Sequence, residues 1–199
     1  MPSLDEQDLP AINADVRRQA VASLGGYVYQ IWRSVLIWLD LRADEALDLE
    51  GNEDADVLSS AGAVSTQIKA LKDPLTLRSS DVTEAINNSW RARDRNPGLK
   101  LRVRFLCTAG STFEAGRPFG DFHGLQAWQP IHRRLNLETA KSDIDRLRTF
   151  LRSISALDAD LLSWLDGASD AQFATTLIDG LEWDLAAVGN AEVQALIDD

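Results

Sequence analysis

Cysteine occurs once in the 199 residues, at Cys107, and methionine only at Met1. A single thiol excludes a disulfide framework and a cysteine-built zinc site. Histidine occurs twice, at His123 and His132, without an acid and a nucleophile at recognisable spacing, which argues against Ser-His-Asp chemistry. No Gly-rich loop ending in Lys-Ser or Lys-Thr is present, so these residues do not make a P-loop NTPase. Long apolar runs are missing as well. The longest, Ser34 to Leu39, is far short of the roughly 20 residues that cross a bilayer. No secretory signal is legible, and the expectation is a soluble, cytoplasmic protein. What remains, 45% hydrophobic and 26% charged, is an ordinary globular composition.

Basic residues are absent from residues 153–199, which carry 10 acids. Residues 1–60 are also acidic, at −8, whereas residues 61–152 hold 16 basic side chains and sum to +7. The chain average of −11 therefore hides a basic centre between two acidic ends. Such asymmetry marks either a nucleic-acid surface or a domain whose opposite charges segregate and pair with one another.

Residues 1–12, with two prolines, read as a loose lead-in. The spacing predicts a short helix from about Asn13, interrupted at Gly25-Gly26, then a core helix to about Arg42 carrying Val28, Ile31, Trp32, Val35, Leu36 and Leu39. The period then changes. Ala46–Glu50 reads as a strand, and Glu53–Ser59 and Ala63–Ala70 as a hairpin turning at Ala61-Gly62. A helix from Ser79 or Ser80 to Arg95 follows, then a strand with Leu101, Val103 and Phe105 alternating with Arg102 and Arg104. Ala109–His123 reads as a long loop. Beyond it the pattern is helical at Leu125–Arg134, Glu138–Ser153, Ala159–Leu165, Asp170–Leu181 and Ala191–Asp198. The six tryptophans lie in helical patterns and read as core. The expected fold class is α/β, a small mixed β-sheet flanked by helices with an α-helical C-terminal extension. Its parts are a lead-in at 1–24, a core at 25–135 and the extension at 136–199, linked near Asn136 to Ala140.

A turn at Ala61-Gly62 sets Asp56 opposite Gln67 and Asp54 opposite Lys69. Opposed residues share a face, and side chains repeat every second residue. One face thus collects Asp54, Asp56, Gln67 and Lys69, with Glu50 in reach from the preceding strand. The other collects Ala55, Val57, Val64, Thr66 and Ile68 for packing on a helix. Two carboxylates, an amide and a lysine suit a hard cation that keeps several waters and accepts phosphate oxygens. On spacing alone, a solvated hairpin face with an Asp54–Lys69 ion pair fits equally well.

Asp-x10-Gln-x-Lys on a hairpin after a helix resembles the PD-(D/E)XK nuclease motif in its Gln variant. The fuller pattern is Gly26–Gln30 (GYVYQ), Glu50–Asp56 (EGNEDAD), Gln67-Ile68-Lys69 and Phe105–Thr108 (FLCT). It resembles the double-stranded-DNA endonuclease domain of bacterial antiphage effectors, found in CBASS effectors and at the N-termini of STAND-type NTPases. The likeness covers roughly residues 20–135, and more weakly the region of Leu181-Glu182-Trp183.

The resemblance implies a restriction-endonuclease-like core using Mg²⁺ or Mn²⁺ to hydrolyse DNA phosphodiester bonds. It makes Asp56 the principal metal ligand, with Asp54 and Glu50 as secondary ones, and Asp56, Gln67 and Lys69 the catalytic set. Gln30 and Thr108 are site-adjacent positions that helix packing and an ordinary core threonine explain as well. Arg91, Arg93, Arg95, Lys100, Arg102 and Arg104 are either duplex-binding, neutralising phosphates without reading sequence, or a basic solvated surface. The partners implied are double-stranded DNA, further copies of the chain, and a covalently linked regulatory, NTPase or sensor region. The alternatives are a catalytically inactive DNA- or partner-binding module and an RNA-directed nuclease.

Overall fold

The period-2 alternation of residues 46–69 folds as three antiparallel strands. In the computed structural model, which describes residues 15–49, 51–133 and 137–198, these are β1 (Ala46–Leu49), β2 (Ala55–Ser59) and β3 (Gly62–Lys69). Two further strands, β4 (Leu101–Cys107) and β5 (Leu181–Asp184), add in parallel, giving a mixed five-stranded sheet in the order β1-β2-β3-β4-β5. The expected mixed α/β sheet is therefore present. Among the described residues no helix is long and apolar enough to cross a membrane.

The hairpin register differs from the expected one by two residues. Ser59 faces Gly62, so the turn is Ser60-Ala61, and Asp56 faces Ser65 rather than Gln67. Ser59 Oγ holds this turn by accepting the Ala61 N–H and donating to the Gly62 carbonyl, both at 3.2 Å. Gly62 has φ +144°, and the carbonyl of Lys100 stands where a Cβ would go, 2.3 Å from it. Only glycine fits there without strain. A shift of two preserves parity, so each residue stays on its expected face.

Helix α1 (Asp15–Leu39) is continuous through Gly25-Gly26 instead of breaking there. Each internal glycine costs about 1 kcal/mol against alanine. Packing outweighs that: Tyr29, Trp32, Leu36 and Ile37 lie against Ala55, Ile68 and Leu106 on one sheet face. Trp38, expected in the core, is 61% exposed, alongside the exposed Leu24, Tyr27 and Ile31.

The opposite face carries Val103, Phe105 and Cys107. It is covered by α2 (Ser80–Arg95), α3 (Gly124–Arg133), α4 (Leu137–Arg152), α5 (Ala159–Gly167) and α6 (Asp170–Gln172), the last continuing as a π-helical turn at Phe173–Ile178. One hydrophobic cluster runs from Leu75 to Trp183 through α2 to α5 and the π-helical turn, while α6 buries no side chain in it. The C-terminal residues are therefore not a helical appendage. Leu181–Asp184, placed in the sequence reading at the end of a helix and beyond it, forms the parallel edge of the sheet, and α4, α5 and the π-helical turn build the core beneath it. A last helix, α7 (Asn190–Asp198), returns to α1, where Tyr29 donates its hydroxyl hydrogen to the Val188 carbonyl at 3.0 Å.

Candidate active site at the end of β3

The last paired residues of the hairpin are Ala55 and Thr66; beyond them β2 leaves β3. In an antiparallel ladder, the N–H and C=O of Ile68 point toward the departed strand and lose their backbone partners there. Two side chains replace them. The Ile68 N–H donates to Asp54 Oδ2 at 2.6 Å, and Gln30 Nε2 donates both to the Ile68 carbonyl at 3.2 Å and to Asp54 Oδ1 at 3.0 Å. Gln30 reaches the site because Tyr29, its neighbour on α1, is fully buried and fixes the helix against the sheet. Thus Asp54 and the Ile68 carbonyl share one donor, the Gln30 amide, at the place where the strands part.

Asp56, favoured above as the first metal ligand, has a different set of contacts. It is 7% exposed, accepts from Ser65 Oγ and from the Asn52 N–H, both at 2.5 Å, and fastens the loop between β1 and β2. Asn52 Nδ2 in turn donates to Ser65 Oγ at 2.9 Å. Asp48, directly opposite on β1, shares this corner. A Cβ on Gly51 would meet Asp56 Oδ2 at 2.5 Å and Asp48 Oδ2 at 3.1 Å. A larger residue at position 51 would have to push these carboxylates aside, against the hydrogen bonds that hold Asp56. Glu50, the third acid of the resemblance, lies outside the described residues.

Glu53 is a site residue that the alternation argument passed over, because it precedes β2 and its direction is set by the loop. Burial, then the charges of Asp54 and Asp56, push its carboxyl up to about 7, against the pull of Lys69. A carboxyl whose folded pKa lies above its unfolded value favours folding while protonated in both states, and that stability is lost as pH rises between the two values. In metal-free buffer, Glu53→Gln is expected to raise the urea midpoint at pH 8 and leave it unchanged near pH 4. An equal change at both pH values would mean Glu53 is solvated.

Gln67 lies on the Asp56 face of β3, 6% exposed, and its Oε1 has no hydrogen-bond partner. A buried acceptor without a donor costs about 1–3 kcal/mol, so this oxygen is available to a ligand. Lys69, half-buried, is two residues further along the same face. Among the described residues no three His, Cys, Asp or Glu side chains converge as a metal cluster. Mg²⁺ does not need three, since it is held by one or two carboxylates and completes its shell with waters and phosphate oxygens. The carboxylate of Asp54, the Ile68 carbonyl and the orphaned Gln67 oxygen fit that chemistry. No family model, curated protein or solved structure matches the chain.

The six basic residues separate. Arg102 and Arg104 are beside Val64 and Thr66 on the α1 face, whereas Arg91, Arg93 and Arg95 belong to α2 on the other. Arg91 forms a two-pronged bond to Asp158 at 2.6 Å, and Arg104 pairs with Asp184. Arg93 lies across Gly180, and desolvation lowers its pKa. Lys100 and Arg102 are exposed, and Arg95, also exposed, donates to Asn52 Oδ1 at 3.0 Å, beside the Asp56 corner. Arg148–Asp170, Lys141–Asp170 and Arg152–Asp166 repeat the pattern of basic centre against acidic C-terminal residues. Thr108 is occupied structurally: its hydroxyl donates to the Leu71 carbonyl at 2.6 Å and accepts the Leu71 N–H at 2.9 Å.

Proposed function

We propose that the chain is a metal-dependent DNA endonuclease domain of the PD-(D/E)XK type, an effector module of a bacterial antiphage protein. The observation that supports this reading is the end of β3. There Asp54 and the Ile68 carbonyl lie within reach of the same Gln30 amide, with the orphaned Gln67 Oε1 and Lys69 on the same short segment.

Asp54 and the Ile68 carbonyl would hold a Mg²⁺ or Mn²⁺ ion, with Gln67 Oε1 as a further oxygen. When bound, the ion supplies Lewis-acid stabilisation of the scissile phosphate and lowers the pKa of a water. The remaining steps belong to the chain. Lys69, a compact ammonium, stabilises negative charge developing on the phosphate and orients the attacking water. Gln67 is neutral where a glutamate would add a charge, so cation affinity depends on Asp54. Arg95, Lys100 and Arg102 supply phosphate contacts without base reading.

The test is cleavage of supercoiled plasmid with Mg²⁺ or Mn²⁺, with oligomeric state measured in parallel. Wild type is expected to cut and to stop with EDTA, and Lys69→Ala to cut at least about 100-fold more slowly. Equal rates for Lys69→Ala and wild type would overturn the site. Salt-dependent duplex binding without cleavage would identify a non-catalytic module, and preferential cleavage of RNA would redirect the substrate.

A further inference from the structure

A cleft of about 850 Å³ opens where β3 and β4 begin, between the end of α2 and the π-helical turn. Its volume is that of a small-molecule site, for which roughly 300–1,000 Å³ is usual. It lies at the other end of β3 from the candidate active site, since the strand covers about 20 Å from Ala63 to Lys69. Among the described residues, its lining sets the cations Arg42, Arg93, Lys100 and Arg102 against the carboxylates Glu45 and Asp179. Glu45 is engaged already, accepting the Arg42 N–H at 2.9 Å. Thr176 adds a hydroxyl, and no aromatic ring among the described lining residues offers a base a stacking surface.

Arg42, Lys100 and Arg102 are exposed, whereas Arg93 is half-buried. Its guanidinium lies where any side chain at position 180 would stand, so Gly180 makes the room for it. Burial lowers its pKa against the pull of Asp179, and no carboxylate among the described residues is within ion-pair distance of it. Its buried Nε has no hydrogen-bond partner. Arg104 and Arg148 also have a buried Nε without a partner, but each pairs with an aspartate through Nη2. A desolvated cation lacking such a pair is costly. A phosphate answers it well, because two of its oxygens match the guanidinium fork. We propose that this cleft binds a small phosphorylated molecule through its terminal phosphate, with Arg93 as the central contact and Lys100 and Arg102 as flanking charges. The metal reading of β3 is not needed for this. A duplex backbone lies on exposed cations, whereas a half-buried guanidinium is within reach of a slender terminal phosphate.

Inorganic pyrophosphate is the probe, titrated calorimetrically into the whole chain at low salt with EDTA, so that no metal bridges anion and protein. Wild type is expected to bind at millimolar pyrophosphate or below, and Arg93→Gln at least about tenfold more weakly. Lys69→Gln is expected to bind as wild type does. No binding by wild type, equal binding by Arg93→Gln, or an equal loss in Lys69→Gln overturns the site. A short duplex in the same buffer separates the two sources of phosphate. Arg93→Gln is expected to leave duplex affinity unchanged, and a loss matching that for pyrophosphate overturns the small-molecule assignment in favour of DNA. Lys100 and Arg102 are exposed, so the double variant Lys100→Gln/Arg102→Gln tests the cleft without disturbing buried groups. It is expected to weaken pyrophosphate binding at least about tenfold, and wild-type affinity in it overturns the proposal.

Discussion

Asp54→Asn is expected to slow DNA cleavage by about 1,000-fold, which corresponds to about 4 kcal/mol of transition-state stabilisation. The substitution removes one negative charge and keeps one acceptor for the Ile68 N–H, and the NH₂ it sets against the Gln30 amide lies in a half-buried position where the Gln30 side chain can turn away, so the fold is expected to hold. Asp56→Asn should behave differently. Both oxygens of Asp56 accept short hydrogen bonds in a buried corner, from Ser65 and from the backbone of Asn52. An asparagine there turns an NH₂ toward one of those donors and leaves a buried mismatch of about 1–3 kcal/mol. The two variants are therefore expected to cross. Asp54→Asn is folded and inactive; Asp56→Asn is less stable and keeps more of its activity when saturated with metal. Plasmid cleavage beside urea unfolding separates them. A stable, inactive Asp56→Asn beside an active Asp54→Asn would exchange the two roles.

Gly62→Ala is expected to cost about 3–4 kcal/mol. Two causes act on the same atom. The backbone at φ +144° is strained for any L side chain, worth about 1–3 kcal/mol. The new Cβ would also meet the Lys100 carbonyl at 2.3 Å, an overpacking cost of about 1–3 kcal/mol. That carbonyl is backbone and cannot swing aside, since it accepts the Ala63 N–H at 3.0 Å and begins the β3–β4 ladder. For a chain of this size the melting temperature should fall by about 10 °C. A loss below about 1 kcal/mol would show that the turn relaxes into another geometry.

The sheet was legible in the sequence wherever alternation was long. Residues 62–69 alternate far enough to place Gln67 and Lys69 on one face, and that survived a pairing register shifted by two residues because side-chain period is also two. The register itself was not legible. Ser59 decides it through hydrogen bonds to its own turn, and Gly62 decides it by what lies behind it, a neighbour from another strand. β5 was missed because Leu181-Glu182-Trp183-Asp184 is too short to alternate visibly among helical surroundings. The break at Gly25-Gly26 was wrong because the packing of Tyr29, Trp32, Leu36 and Ile37 beyond it outweighs local propensity.

The candidate site divided in a similar way. Spacing put Asp54, Asp56, Gln67 and Lys69 on one face, yet it could not show that Asp54 binds the Ile68 backbone while Asp56 fastens the loop. That division depends on where β2 leaves β3, and the point of departure is set by the register. Asp48 was within reach of the sequence, since it alternates with Glu50 on the first strand. Glu53 was not, because a loop aims it. Charge counts located the basic centre and the acidic end, whereas only the contacts show how far each neutralises the other.

The position of Leu181–Asp184 in the sheet also governs the order in which the protein can be made. Strands β1 to β4 leave the ribosome with β4 exposing a full row of backbone donors and acceptors along its outer side. The strand that covers that row, β5, follows β4 only after α3 to α6 have been made. Until it emerges, the nascent chain carries an open edge next to Val103, Phe105 and Leu106, the kind of surface on which chains join one another. Any break in the chain ahead of Leu181 leaves that edge open permanently. The protein's early life is thus the period in which it most needs to be kept apart from its own copies.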